Sequence, residues 1–122
     1  MSIQVELDKV REQVAACGPY AYLLTVGEEG RPHAVSLVVE WDGEELVGAP
    51  GPRTLGNAER SPDVSLLWPV SGRDGFALFV NGRADVRGEG DERKVFLKPA
   101  SAVLHKTPEG EAQAPSCVRV LQ

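Results

Sequence analysis

The sequence predicts a mainly β domain, an antiparallel barrel with short helices. Short apolar runs rich in β-branched residues recur along the 122 residues, and turn signals separate them about every ten residues, as in barrels and sandwiches. One helix predicted between two strands favours a barrel that this helix plugs at one end. Because a chain of this length buries roughly two thirds of its unfolded surface, we expect residues 1–122 to form one domain.

The first segment has the periodicity of an amphipathic helix. Its apolar side chains recur at steps of four and three residues, at Ile3, Leu7, Val10, Val14 and Cys17. Ser2 can cap the first turn, and Gly18-Pro19 is a typical helix end. We therefore expect a helix over residues 3–17 that lies against the barrel.

Three strands of an antiparallel meander are expected next. They cover residues 20–26, 32–41 and 45–49, and the segments between them carry the glycines of tight turns. These runs are too short and too rich in β-branched residues for helices. The meander therefore supplies one wall of the predicted barrel.

A short helix with an anion site is predicted after the meander. Pro52 suits a first helical turn, and Ser61-Pro62 would end the helix after about two turns. Arg53 and Thr54 lie at its start, where exposed amide groups and the helix dipole favour anions. A guanidinium, a hydroxyl and backbone amides can together bind a phosphate. The alternative is that Arg53 is simply an exposed residue near a helix start.

The rest of the chain is predicted to add four strands. Two cover residues 64–68 and 76–85, and Gly82 in the second marks a bulge or a close approach of two backbones. Residues 95–104 are expected to form one strand, interrupted at Lys98-Pro99. The last is expected at residues 117–121. Polar or glycine-rich segments, residues 71–75 and 107–115, precede the second and the last of these strands as a turn and a loop.

Charge and hydropathy exclude several classes of function. The formal net charge is −5, and no run of basic residues exceeds Arg93-Lys94, so we expect no nucleic-acid partner. The first residues form neither a basic leader nor an apolar segment, and no run approaches the roughly 20 apolar residues that span a bilayer. We therefore expect a cytoplasmic protein that does not bind membranes.

Residues that could carry catalysis or bind metal are scarce. The only histidines are His33 and His105, and motifs of zinc proteases, serine hydrolases and kinases are absent. Two isolated histidines could ligate haem or a metal, but hydrogen-bonded or surface histidines are the commoner case, so we expect no metal site. Cys17 and Cys117 lack Cys-x-x-Cys spacing and are expected to be buried thiols.

Four segments carry a resemblance to a known family. They are Gly30-Arg31-Pro32-His33 before a strand, Arg53-Thr54-x-x-Asn57 at the helix start, residues 61–67 and residues 80–84. Their order and spacing resemble the FMN-binding split-barrel family, which is typified by pyridoxamine 5'-phosphate oxidase and includes deazaflavin-dependent relatives. The resemblance implies a Greek-key-like antiparallel split β-barrel that binds FMN. An 8-hydroxy-5-deazaflavin coenzyme is the alternative cofactor.

The resemblance also implies which residues contact the cofactor. Arg53 matches a basic position that holds the cofactor phosphate, and Thr54 stands where the family commonly has a lysine. Asn57 matches a helix residue that faces the barrel and holds the loop. The remaining matches line the flavin ring or its edge: Val35, Ser36, Leu37, Arg31 and His33. Trp68 is a further expected contact.

The family forms homodimers with the flavin between subunits, so the resemblance implies a homodimer. Candidates for the part of the site that the partner subunit supplies are Arg83, Trp68 and His105. The apolar strand face and the amphipathic helix together also carry more apolar surface than one domain of this size readily buries, which favours a homodimer.

Two functions stay open at this point, and no residue is assigned as catalytic. The first is a flavin- or deazaflavin-dependent oxidoreductase acting on a small molecule, which the Arg53 and Asn57 frame favours. The second is a non-catalytic flavin-binding or cofactor-free dimeric module. Thr54 in place of lysine and the lack of an obvious acid–base residue favour this second function.

Overall fold

The computed structural model describes residues 1–70 and 75–107, in which the main elements are eight strands and two α-helices. The helices are α1 Val10–Cys17 and α2 Pro52–Arg60. The strands are β1 Ser2–Val5, β2 Tyr20–Val26, β3 Pro32–Val38, β4 Glu40–Asp42, β5 Glu45–Gly48, β6 Asp63–Trp68, β7 Ala77–Arg87 and β8 Lys94–His105. They form one antiparallel sheet in the order β3-β2-β6-β7-β8-β5-β4, and β1 also pairs with β8.

The sheet curls because one chain segment contributes to both ends of the strand order. The predicted strand over residues 32–41 is in fact two strands, β3 and β4, separated at Val39. β3 pairs with β2, whereas β4 pairs with β5. Val39 lies between these two strands, and its amide donates a hydrogen bond to the carbonyl of Pro19 at 2.8 Å. Gly48 of β5 permits the close approach, since a Cβ there would overlap the Leu37 side chain.

The long β7–β8 pair contains the irregularity expected at Gly82. Asn81 pairs with Ser101 but Gly82 pairs with Pro99, so Ala100 is an extra residue on β8. A side chain at Gly82 would collide with the carbonyl oxygen of Lys98. The predicted close approach of two backbones is therefore confirmed, and the expected interruption near Pro99 is a bulge within a continuous strand.

The N-terminal segment differs from its prediction. Residues 2–5 form β1, which pairs with the last residues of β8, from Ser2 opposite His105 to Val5 opposite Ala102. The expectation that Ser2 caps a helix is therefore wrong. β5 pairs with only the first part of β8, so the backbone groups on that edge of the last part of β8 would be unpaired without β1. The helix itself begins at Val10 and ends as predicted at Gly18, whose φ is +94°.

The inner face of the curled sheet carries the core. Its largest fully buried apolar side chains are Trp68, Leu23, Leu46, Leu78 and Leu97. Trp68 Nε1 donates to the carbonyl of Gly18 at 2.9 Å, which joins the end of α1 to β6. Cys17 is half-buried and packs against this core. The predictions for Cys117, the last strand, most of the loop at 107–115 and most of the turn at 71–75 lie outside the described residues.

Candidate functional site

A cleft of about 610 Å³ lies between one face of α2 and the turn that joins β2 to β3. The helix contributes its first residue, Pro52, and one of its faces. That face carries Arg53 and the residues three, four and seven positions later: Gly56, Asn57 and Arg60. The turn contributes Gly27, Glu28 and Arg31, and the start of β3 contributes Pro32 and His33. The structure therefore brings together four of the predicted residues, Arg31, His33, Arg53 and Asn57.

The charge of the cleft favours anions. Three arginines line it, and Glu28 is the one carboxylate among its lining residues in the described part of the chain. The nearest charged contact joins Arg60 Nη1 to Glu28 Oε1 at 3.8 Å. In a chain of net charge −5, this local positive surplus is a departure from the average surface and attracts negatively charged ligands.

Asn57 connects the cleft to the barrel interior. The residue is 2% exposed. Its Oδ1 accepts a hydrogen bond from Arg60 Nη2 at 2.6 Å, and its Nδ2 donates to Thr25 Oγ1 at 3.2 Å. Asn57 therefore fixes the guanidinium of Arg60 from a buried position. The sequence prediction did not include Arg60, although its place seven residues after Arg53 puts both on one helix face.

His33 carries a polar atom that lacks a partner within the described residues. Its Nδ1 is buried and makes no hydrogen bond to residues 1–70 or 75–107. His33 lies on β3 directly opposite Thr25 and lines the cleft. A buried polar group without a partner costs about 1–3 kcal/mol. A polar ligand group in the cleft is one way to satisfy it.

Two of the predicted contacts are buried and lie away from this cleft. Thr54 is 2% exposed and Trp68 is 1% exposed, and neither lines the cleft. Thr54 lies on the core side of α2, so its hydroxyl is not presented to a phosphate there. Trp68 ends the buried row of β6 and uses its ring nitrogen on Gly18.

The other predicted residues lie on β3 or outside the cleft. Val35 and Leu37 are half-buried against the core, and Ser36 is exposed on the other face of the strand. Arg83 is exposed and lies 4.0 Å from Asp63. His105 Nδ1 lies 3.0 Å from Ser2 Oγ, within hydrogen-bond distance. Within the described residues, Arg83 and His105 do not reach the cleft.

The outer face of the β2–β3 hairpin is apolar and exposed. Tyr20 lies opposite Val38, Tyr22 opposite Ser36, and Val26 opposite Pro32. Four of these side chains rank among the exposed large hydrophobic residues: Tyr20, Tyr22, Val26 and Val38. Pro32 also lines the cleft. The apolar face and the basic cleft therefore meet at Pro32.

Neither metal binding nor membrane spanning finds support in residues 1–70 and 75–107. No group of three or more His, Cys, Asp or Glu side chains there could hold a metal ion. No helix in these residues combines the length and the apolar character needed to cross a bilayer.

Comparison with known sequences decides the family. No protein-family model matches the chain. An uncharacterized protein of Mycobacterium bovis and one of Mycobacterium tuberculosis are each 33% identical to it over 115 residues, which cover 82% of this chain and 81% of the relative. This chain belongs to their family.

Solved structures decide the fold of this family member. An F420 reductase superimposes with a TM-score of 0.57 at 18% identity, covering 69% of this chain and 88% of the other. A Clostridium acetobutylicum protein of the pyridoxinephosphate oxidase family gives 0.65 at 10% identity, covering 86% and 93%. An FAD-binding protein from Mesorhizobium loti gives 0.60 at 14% identity, covering 85% and 96%. The predicted split-barrel fold of pyridoxamine 5'-phosphate oxidase-like proteins is confirmed.

Proposed function

We propose that this protein binds a flavin in the cleft beside α2 and acts as a flavin-dependent oxidoreductase on a small molecule. FMN is the proposed cofactor, and an 8-hydroxy-5-deazaflavin coenzyme is the alternative. The observation that carries the proposal is the position of Arg53 and Arg31 around one cleft at the start of a helix, in a split-barrel fold. Structural neighbours that are an F420 reductase and an FAD-binding protein support a ligand of this class.

The residues of the cleft fit the phosphate end of such a ligand. Arg53 can give two parallel hydrogen bonds to phosphate oxygens, and Arg31 adds a second charge from the opposite wall. The free amide groups in the first turn of α2 and the positive end of its dipole both favour an anion at the start of the helix. His33 lies at the β3 side, where its ring can meet a polar group of the ligand. When bound, a flavin supplies the hydride chemistry, and these residues bind and orient it.

The proposed assembly is a homodimer formed through the outer face of β2 and β3. Exposed tyrosines and valines on this face form an apolar surface of the kind that marks interaction sites. A second copy is the proposed occupant because the face meets the cleft at Pro32. A partner subunit on this face would lie beside the cleft, and its Arg83 or His105 could then contribute to the site.

A non-catalytic module is the second proposal, and Thr54 favours it. The family's usual lysine is replaced by a threonine that is buried, so the phosphate loses one cation. Of the cleft residues that the structure describes, His33 is the one histidine, and no cysteine or tyrosine lines the cleft. Such a protein would hold a flavin without turnover, or would persist as a cofactor-free dimer.

Colour and turnover test the proposal. A visible spectrum of the purified protein is recorded before and after adding FMN, and then the deazaflavin coenzyme. Each reduced cofactor is next offered a panel of quinone, nitro and enone acceptors with and without protein. We expect faster reoxidation with the protein, because catalysis requires preferential stabilisation of the transition state. No binding at about a millimolar cofactor, or about −4 kcal/mol, overturns flavin binding and leaves the cofactor-free module.

A further inference from the structure

We propose that Arg60 is a third cation of the anion site, and that the Glu28 carboxylate occupies it until a phosphate-bearing ligand takes its place. This inference rests on the proposed flavin-binding function and deepens it. It makes Glu28 a built-in competitor that sets how strongly the cleft prefers dianionic ligands to neutral ones.

Arg60 is prepared for this role by its buried partner. Asn57 accepts from Nη2 at 2.6 Å, and Asn57 is itself held by Thr25. The guanidinium therefore does not have to be ordered when a ligand arrives, which lowers the entropic cost of binding. Its side chain is 47% exposed and lines the cleft, so its other donors can be reached from the cleft.

Glu28 is the anion that now faces this guanidinium. It lies in the one-turn segment Glu28–Gly30, on the opposite wall of the cleft. Arg60 Nη1 and Glu28 Oε1 are 3.8 Å apart, and the Glu28 side chain is 81% exposed. Exposed ion pairs of this kind change an equilibrium constant by only a factor of about 1.5 to 5.

A phosphate is a stronger partner for the same arginine. A phosphomonoester carries a charge of about −1.5 to −2 at neutral pH and has three acceptor oxygens. Hydrogen bonds of this charged type correspond to roughly ten- to a hundredfold in binding. With Glu28 in place the three arginines leave a formal surplus of two positive charges, and once Glu28 has swung away the surplus is three, which more than balances a dianion.

The first test replaces the competitor. Wild type and Glu28→Gln are titrated calorimetrically with FMN, riboflavin and inorganic pyrophosphate. Glu59→Gln is the matched control, since Glu59 lies 3.7 Å from Arg93 outside this cleft. We expect Glu28→Gln to bind FMN and pyrophosphate about 1.5 to 5 times more tightly and riboflavin unchanged. Equal gains in Glu28→Gln and Glu59→Gln would overturn the proposal, because a general charge effect would explain them.

The second test removes the cation. Arg60→Ala should weaken FMN and pyrophosphate by roughly ten- to a hundredfold and should cancel the gain from Glu28→Gln in the double variant. Arg60→Lys keeps the charge and should recover part of the loss, and thermal denaturation checks that each variant is folded. Unchanged affinity in a folded Arg60→Ala overturns the inference. Pyrophosphate binding without flavin binding refutes the proposed function alone, and wild type that binds neither anion refutes both.

Discussion

Asn57 donates a hydrogen bond from Nδ2 to Oγ1 of Thr25 at 3.2 Å, and both residues are buried. The bond joins α2 to β2, so the helix face that lines the cleft is tied to the interior of the barrel. Because Asn57 also accepts from Arg60, one buried amide links the stability of the barrel to the geometry of a basic surface. A disturbance in the core at this point should therefore reach the cleft.

Thr25→Val tests that link. Valine keeps the shape of threonine but removes the acceptor, which leaves Asn57 Nδ2 buried without a partner. We expect the free energy of unfolding to fall by about 1–3 kcal/mol, measured by urea denaturation. Asn57→Ala should cost a similar amount, and the double variant should cost clearly less than both single changes added together. Full additivity would show that the two side chains are not coupled.

Two glycine-to-alanine substitutions should change stability in opposite directions. At Gly82 a methyl group would collide with the Lys98 carbonyl, so Gly82→Ala should lower the free energy of unfolding by about 1–3 kcal/mol. At Gly56, inside α2, the nearest atom to a new Cβ is Arg60 Nη1 at 3.5 Å. Gly56→Ala should raise stability by about 0.5–1 kcal/mol. Denaturation midpoints of the two variants decide this, and destabilisation of both would contradict it.

Tyr22→Glu should dissociate the proposed homodimer. Tyr22 is 43% exposed at the centre of the outer β2–β3 face, opposite Ser36. A carboxylate there would have to be buried without a partner in the dimer, which is strongly unfavourable. Light scattering on a sizing column should report a dimer for wild type and a monomer for the variant. Leu7→Glu is the control, because Leu7 is also exposed but lies beyond this face, and it should remain dimeric. A monomeric wild type at micromolar concentration would refute the dimer.

Arg53→Ala should weaken FMN binding by roughly tenfold to a hundredfold, since a charge-assisted hydrogen bond contributes about 1.5–3 kcal/mol. Riboflavin lacks the phosphate, so its affinity should stay nearly the same. Fluorescence titration of both ligands separates these outcomes, and Arg93→Ala serves as the control because Arg93 lies outside the cleft. Equal losses for FMN and riboflavin would show that Arg53 does not contact the phosphate.

Local sequence signals predicted most of the strands and the short helix. Pro52 and Ser61-Pro62 bound α2 where expected, and each predicted strand in the described residues begins and ends within one or two residues of its observed limits, apart from the break at Val39. These signals are local: they depend on backbone preferences and on the alternation of buried and exposed side chains. The same alternation runs Val64, Leu66, Trp68 along β6 and indicates, after the fact, that Trp68 is a core residue.

Tertiary structure decided the features that depend on contacts between residues far apart in the sequence. The periodicity of residues 3–17 fits a helix, but residues 2–5 form a strand because β8 offers them an unpaired edge about a hundred residues away. The Arg60 guanidinium meets Glu28 only after the β2–β3 turn and α2 come together, whereas its hydrogen bond to Asn57 lies within α2. The sequence by itself determined most of the elements and the place of Arg53 at the start of α2. The contacts between elements determined the rest, because hydrogen-bond partners distant in sequence are selected by the geometry of the whole sheet.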